Sequence, residues 1–496
     1  MNQKTPIIIG LDMGTSHCKA AAIDTHGRTV AAAQRHCTLD SPRPGWVEQD
    51  VGQVWETVVH TLADMAVHLQ DRQPDALCLS SAMHSLLPVN EAGEPLARAM
   101  IWADMRATPQ ADRLRALPDA AQRYARTGCP LQSIYHPAKL AWLLVEQPQI
   151  ARRAVRFVTI KEYVLYRLTG RWVADFGTAS ATGLLDIHTL QWDKDTLSTA
   201  GIAAGQLAGL VSPLALVGDL LPSVAPLTGM PYGLPVIAGS GDGGLANLGS
   251  GAVQEGHSVI TIGTSGAVRR VVNQPQIDPQ QRTWCYVLME GRWYAGGAIN
   301  NGGLALRWVV ERFYPELQGT AAYDRLFAEA AAIAPGAEGV TVLPYFTGER
   351  TPHWNPHARG VISGLGPTHT RAHIARAALE GVAYCLADVW DILAQQSMLC
   401  TPTRLTGQVA RAPVWAQIIS DVLGVPLALT DAADASAVGA AMLGQLAMGY
   451  ADSVESLAAQ VVHGPEIVPD PSVRPIYEEG HRGFRELYAG IFGAGT

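Results

Sequence analysis

Charge is scarce in this chain. Asp, Glu, Lys and Arg supply 16% of the 496 residues against 48% hydrophobic residues, and the formal net charge is −8. So much apolar material beside so little charge excludes a disordered polypeptide. The shortage of cations excludes nucleic acid or an anionic membrane as the main partner. A nucleotide is not excluded, because its phosphates are usually held by local backbone N–H groups and one or two cations. Cysteine is sparse as well. The seven cysteines (Cys18, Cys37, Cys78, Cys129, Cys285, Cys385, Cys400) form no Cys-x-x-C and no Cys/His cluster. That excludes a disulfide framework and a structural zinc, and a reducing cytoplasm is the simplest compartment. Long apolar runs are missing too. The N-terminus lacks the apolar core and cleavage site of a signal peptide. One uncharged stretch, Ala435 to Ala451, is rich in Ala and Gly and contains Gln445. It is short for a membrane span and reads as a buried helix.

What is present is a large α/β chain. At ~100–200 residues per domain, the length predicts two to four domains. The chain opens with Ile7-Ile8-Ile9-Gly10-Leu11, turns at Asp12-Met13-Gly14-Thr15-Ser16, and continues through Lys19 to Ile23. A second turn, Asp24-Thr25-His26-Gly27, leads to a third run near Thr29. Short β-branched runs split by Gly and Asp turns predict an antiparallel meander. The stretch Ser258 to Val268 repeats the theme: strand, Gly263-Thr264-Ser265, strand. Two such triplets half a chain apart predict two duplicated lobes, each opening with a hairpin. Between them, strand candidates (Asp75 to Leu79, Pro235 to Ala238) alternate with helical patterns (Ala138 to Val145, His373 to Leu393, Ala412 to Leu423). That alternation indicates α/β lobes. The boundary is expected near Gly249-Ser250-Gly251, giving an N-terminal lobe over 1–250 and a C-terminal lobe over 251–496.

Several segments carry chemistry. Asp12-x-Gly14-Thr15-Ser16-x-x-Lys19 combines a sharp glycine turn with N–H groups and hydroxyls that suit phosphate oxygens. A carboxylate just before such a turn can hold Mg²⁺, and Lys19 could reach the same phosphates. The bland alternative is an ordinary hairpin with an Asp turn residue. Gly263-Thr264-Ser265-Gly266 offers the same groups a second time. Phosphoryl transfer needs such positioning and charge stabilisation more than covalent chemistry. Gly239-Ser240-Gly241-Asp242-Gly243 lies where a strand ends and a helix begins. Asp242 reads either as a helix cap or as a general base for an attacking hydroxyl, and both can hold at once. Met83-His84-Ser85 and Ile101-Trp102-Ala103-Asp104-Met105-Arg106 each come after an apolar run. Strand ends are where α/β folds place ligands. His84, Asp104 and Arg106 could bind a polyol with Trp102 as its apolar wall, or all could be structural. Leu405 to Pro413 is a glycine turn entering a helix, a weak signal on its own.

Taken together these segments resemble the FGGY carbohydrate kinases, from Gly10 to about Gly449. The longest matching pieces are Gly10-Leu-Asp-Met-Gly-Thr-Ser16, Thr261-Ile-Gly-Thr-Ser-Gly266, Leu343-Pro-Tyr-Phe-Thr-Gly-Glu-Arg-Thr-Pro-His-Trp354 and Arg376-Ala-Ala-Leu-Glu-Gly-Val-Ala-Tyr384. The resemblance implies two ribonuclease-H-like lobes of the actin, hexokinase and Hsp70 type with an active-site cleft between them. It implies an ATP- and Mg²⁺-dependent kinase of a small sugar or sugar acid. Asp242 matches the family's catalytic base and Asp12 its Mg²⁺-associated carboxylate. Thr15, Ser16 and Lys19 match the first phosphate segment, and Gly263 and Thr264 the second. Met83, His84, Trp102 and Asp104 fall at the sugar contacts. Gly303 and Arg307 resemble positions near the ATP phosphates and ribose, and Gly407, Gln408 and Ala412 fall in the adenosine segment.

Ala82-Met-His-Ser-Leu86, Ile101-Trp-Ala-Asp104, Ile160-Lys-Glu-Tyr163 and Asn300-Asn-Gly-Gly303 look like those of gluconate kinases. Xylulose kinases share the Met-His pair and come second. For gluconate, a cation or N–H donors would be wanted at the far end of the pocket, and Arg106 is the candidate. Two departures stand out. Gly407-Gln408-Val409 replaces the family's paired glycines, and His17 replaces a small hydroxyl residue in the phosphate turn. The actin-like fold also serves ATP-binding proteins that are not sugar kinases, such as sensors. Retention of both Asp12 and Asp242 argues for a kinase. Oligomeric state stays open, a homodimer being common in the family.

Overall fold

The structure, a computed structural model, describes residues 5–407, 409, 412–430 and 434–493. Two compact units make up the chain. The first comprises Met1–Gln254, Val271–Ala295 and Asp434–Val461; the second comprises Glu255–Arg270, Gly296–Ala433 and Val462–Thr496.

In the first unit the expected meander forms three antiparallel strands, Ile7–Met13, His17–Asp24 and Thr29–His36. The first of these also pairs in parallel with Ala76–Ser81, which pairs in parallel with Pro235–Gly241. Leu216–Asp219 closes the edge of this six-stranded mixed sheet. Ile7–Met13 is central and buried on both faces, which is why it reads as a nearly unbroken apolar run. Ile7, Ile9, Leu11 and Met13 share a core with Val54, Val58, Leu62 and Met65. Those four residues form the apolar stripe of helix Val51–Leu69, whose first turn is capped by Asp50.

Gly10 faces the other way. A Cβ there would stand 1.9 Å from the carbonyl oxygen of Ala437, so only glycine lets helix Ala435–Ala447 lie on the strand. The same helix packs backbone to backbone against Asp242–Gly249. A Cβ on Gly439 would meet the oxygen of Leu245 at 1.9 Å, and one on Gly249 would meet that of Ala435 at 2.0 Å. The Ala/Gly-rich stretch is therefore a buried helix. Among the described residues, no helix is long and apolar enough to cross a membrane.

The second unit repeats the hairpin. Ser258–Ile262 pairs antiparallel with Gly266–Val272 across the second Gly-Thr-Ser turn, and in parallel with Thr403–Gly407. Leu427–Thr430 continues in parallel and His463–Ile467 pairs antiparallel with it. Helices Arg371–Gln396 and Pro413–Leu423 pack together, with Trp415 Nε1 donating to the Leu379 carbonyl at 3.2 Å. The duplicated hairpin read from the sequence is thus present in the strand pattern, and both sheets are mixed and open.

Candidate active site

Three parallel strands of the first unit end side by side. The register sets Asp12 opposite Ser80, and Ser81 opposite Gly241, with Asp242 coming at once after it. Ligands of open α/β sheets bind at such carboxyl ends. The strand Pro235–Gly241 reaches this point through a register shift between Ile237 and Ser240. Gly239 sits in that bulge at φ +70°, where a Cβ would lie 1.7 Å from the Leu79 oxygen. The glycine therefore lets the strand bend tightly against its neighbour and re-aims the residues leading to Asp242.

Asp242 is the first residue of helix Asp242–Gly249, with Gly241 at the cap position. Its carboxylate accepts from the Gly243 N–H at 2.7 Å, and its carbonyl accepts from Ser436 Oγ at 3.2 Å. An anion at a helix N-terminus is favoured by the helix dipole. Asp242 is thus not the cap itself but the first helical residue, and its partly exposed side chain stands at the strand end. Asp12 accepts from Ser80 Oγ at 2.6 Å. Burial, and then the nearby Asp242 carboxylate, push the Asp12 carboxyl up to about 7. Two carboxylates that repel across a strand end suit a divalent cation with oxygen ligands. Among the described residues no group of three or more His, Cys, Asp or Glu gathers as metal ligands. The Asp12 and Asp242 pair fits Mg²⁺, which takes one or two carboxylates and fills its shell with water and phosphate.

The first Gly-Thr-Ser turn is closed by the Gly14 N–H donating to the His17 carbonyl at 3.0 Å. Ser16 is exposed, and its carbonyl accepts from the Cys37 N–H at 2.8 Å. The Thr15 hydroxyl accepts from Trp102 Nε1 at 2.9 Å, which ties the turn to the candidate sugar wall. Lys19 lies opposite Asp12 in the hairpin, and its Nζ pairs with Asp434 at 2.6 Å. Any phosphate it serves must compete with that partner. His17 is exposed and packs edge-on against His36.

Met83 and His84 come after the strand Ala76–Ser81. Gly241 makes room for Met83, since a Cβ there would lie 2.7 Å from its sulfur. Met83 and Asp242 are thereby brought together. His84 adopts φ +70°, uncommon for a residue with a Cβ, and its Nδ1–H donates to the Ala181 carbonyl at 2.7 Å. Thr15, Gln49, Ser81, Met83 and Trp102 line one void of about 10 Å³, room for a single water and not for a sugar.

Asp104, expected among the sugar contacts, is turned inward. It is 0% exposed and accepts from the Val47 N–H (2.8 Å), the Arg106 N–H (3.0 Å) and the Arg106 side chain (2.6 Å). Arg106 is committed as well: it bridges to Glu48 at 2.6 Å and stacks 3.6 Å over the Trp46 ring. The cation sought for a carboxylate substrate is therefore spent inside the loop. A bidentate Arg pair two residues apart closes on itself more readily than it reaches a ligand.

In the second unit the Gly263 position is open, with nothing within 4 Å of a built Cβ, and Thr264 is exposed. The turn carries the start of helix Gly303–Phe313: the Gly303 N–H donates to the Gly263 carbonyl (2.7 Å) and the Leu304 N–H to that of Thr264 (3.0 Å). Gly303 is needed because a Cβ would sit 2.7 Å from the Gly263 oxygen. Arg307, one turn on, is exposed. Gly407 lies opposite Ile262 at φ +93°. Ala412 is buried and precedes helix Pro413–Leu423, and Val409 is fully buried, so its side chain does not project toward a ligand. Gln408 lies outside the described residues.

Several neighbours escaped the sequence reading. Tyr294 OH donates to the Met83 sulfur at 3.5 Å, and Tyr286 stacks on Trp284 and bonds Tyr135 at 2.6 Å. Trp284 and Tyr286 alternate along one strand, a visible signal of an aromatic face. Lys161 is buried, donating to Asp175 (2.7 Å) and to the carbonyl of Ser240 (3.0 Å), just before Asp242.

Comparison with known proteins completes the description. The model described as the FGGY family of carbohydrate kinases, N-terminal domain, matches residues 7–249, and its C-terminal-domain counterpart matches 258–448. A gluconokinase of Bacillus licheniformis is 34% identical over 466 residues, covering 92% of this chain and 90% of its own length. A xylulose kinase of Escherichia coli (strain K12) is 30% identical over 483 residues, covering 97% and 98%. The crystal structure of a gluconate kinase from Lactobacillus acidophilus matches with a TM-score of 0.93 at 27% identity, covering 99% of both chains.

Proposed function

The chain belongs to the FGGY family of carbohydrate kinases, and we propose that it transfers the γ-phosphoryl group of ATP to a terminal hydroxyl of D-gluconate, giving 6-phosphogluconate. The observation that carries the chemistry is the meeting of Asp12, Met83 and Asp242 at adjacent strand ends. Asp242 accepts the proton of the substrate hydroxyl as that oxygen bonds to the γ-phosphorus and the bond to ADP breaks. Met83, His84 and Trp102 contact the sugar, and Asp104 serves them by holding Arg106 and the loop. Thr15, Ser16 and Lys19 receive phosphate oxygens in the first unit, as do Gly263 and Thr264 in the second. Gly303 and Arg307 serve the phosphates and ribose, and Gly407, Gln408 and Ala412 the adenosine. Asp12 would hold Mg²⁺, which when bound shields the phosphate charge. In this reading the N-terminal lobe of the duplicated fold runs over 1–250 and the C-terminal lobe over 251–496, although Val271–Ala295 and Asp434–Val461 pack within the first compact unit; scattered thiols suit the cytoplasm.

The name of the sugar follows the nearer relatives, at 34% identity for a gluconokinase against 30% for a xylulose kinase. One observation favours D-xylulose as the second reading: Arg106, the cation sought for a carboxylate substrate, is held by Glu48 and Asp104. Asp242→Asn tests the shared chemistry. At saturating sugar and ATP, kcat is expected to fall about 10²–10⁴-fold. A kcat within a few-fold of the parent removes Asp242 from the role of base.

A further inference from the structure

Helix His136–Glu146 presents two polar side chains one turn apart, His136 and Lys139, in an otherwise apolar setting. Both are buried, Lys139 completely. A buried ammonium is tolerated only when its protons find acceptors. Lys139 Nζ finds three backbone carbonyls, those of His84 (2.6 Å), Ile101 (2.9 Å) and Met100 (3.4 Å). His136 Nε2 donates to the next carbonyl along, Ser85, at 2.8 Å. The three oxygens come from the two segments that lead into the candidate sugar contacts. His84 is itself one of them, held at φ +70°, and Trp102 comes directly after Ile101. Backbone in that region persists only where its surroundings hold it. Trp102 also donates through its ring N–H to the Thr15 hydroxyl, a bond that Lys139 does not touch.

We propose that Lys139 is a positioning residue for the sugar: its Nζ ties the carbonyl of His84 to those of Met100 and Ile101 and so fixes the spacing between His84 and Trp102. This rests on the placement of the sugar at Met83, His84 and Trp102. Misplacing a binding group by about 1 Å can cost up to 10²-fold. The carbonyls that Lys139 holds belong to the His84 and Trp102 segments and to neither phosphate turn, so the larger effect falls on the sugar.

The experiment is steady-state kinetics of the full chain carrying Lys139→Met, with Lys139→Gln and His84→Ala alongside and D-gluconate or D-xylulose as the sugar. In Lys139→Met the KM for sugar is expected to rise about tenfold or more while the KM for ATP stays within about twofold. Lys139→Gln, which keeps two donors, is expected to fall between Met and the parent. An unchanged sugar KM in folded Lys139→Met overturns the proposal, as does an equal rise in both KM values. Failure of both Lys139 variants to fold also overturns it, because the lysine is then a core residue without a specific tie to the sugar. His84→Ala separates the premises. If it too leaves the sugar KM unmoved, the placement of the sugar has failed; if it alone raises KM, only the clamp has.

Discussion

Asp12 and Asp242 share a strand end, and burial together with that second carboxylate raises the Asp12 carboxyl to about 7. In the unfolded chain the group returns to its ordinary 3.8. Between those two values the folded chain keeps a proton that the unfolded chain has released. Stability contributed by this site is therefore full below about pH 4 and is lost as the pH rises toward 7. Asp12→Asn removes the titration and keeps an oxygen for the Ser80 hydroxyl. We expect its thermal midpoint without ligands to exceed the parent's at pH 8 and to converge with it near pH 4.5, while its Mg²⁺-dependent activity is lost. A lower midpoint at pH 8 would show that the carboxylate stabilises the fold. The same strand-end logic explains Asp104 and Arg106. Their types suit a polyol site, but the guanidinium folds back onto the carboxylate two residues earlier.

At the scale of elements, the end of strand Pro235–Gly241 is held by a buried ion pair from helix Ile160–Thr169. Lys161 and Asp175 are each about 1% exposed, and Lys161 also holds the Ser240 carbonyl. Removing one partner of such a pair leaves a buried charge unpaired, at a cost of about 3–5 kcal/mol. Urea unfolding of Lys161→Met should show that loss, and Lys161→Met with Asp175→Leu should recover much of it. A single-variant loss under about 1 kcal/mol would mean that the pair contributes no more than an exposed one. None of this pairing was legible in the sequence, because its members lie on three separate elements. The meander was legible, since each of its turns is marked by Gly or Asp, and so was the repeated Gly-Thr-Ser hairpin. The stretch from Ala435 was recognisable as a buried helix from its small residues. Its partners Gly10, Leu245 and Gly249 were not, since periodicity carries no information about what a face meets. The helix ends at Ala447 rather than Ala451, and Gly449 turns the chain at φ +72°. The site divides in the same way. Asp12, Thr15 and Asp242 were legible as candidates because glycine marks their turns, and Met83 because it follows an apolar run. Tyr294 was missed because its contact with Met83 joins residues far apart in sequence.

The whole molecule is a carbohydrate kinase of the FGGY family, and its role turns on what it phosphorylates. A hydrophobic or neutral pocket discriminates weakly between substrates that differ by one group, whereas a site built to hydrogen-bond a particular hydroxyl discriminates strongly. The commitment of Arg106 to Glu48 and Asp104 makes D-gluconate the demanding case, because its carboxylate must be met by N–H or O–H donors in place of that cation. A non-catalytic ATP-binding protein would consume no ATP in response to any sugar. The most direct measurement is ADP release with Mg²⁺–ATP and, in turn, D-gluconate, D-xylulose, L-ribulose and glycerol. Sugar-dependent ADP release is expected, with the highest kcat/KM for D-gluconate. A higher kcat/KM for D-xylulose, or no ADP above the sugar-free blank with any of the four, would contradict the assignment.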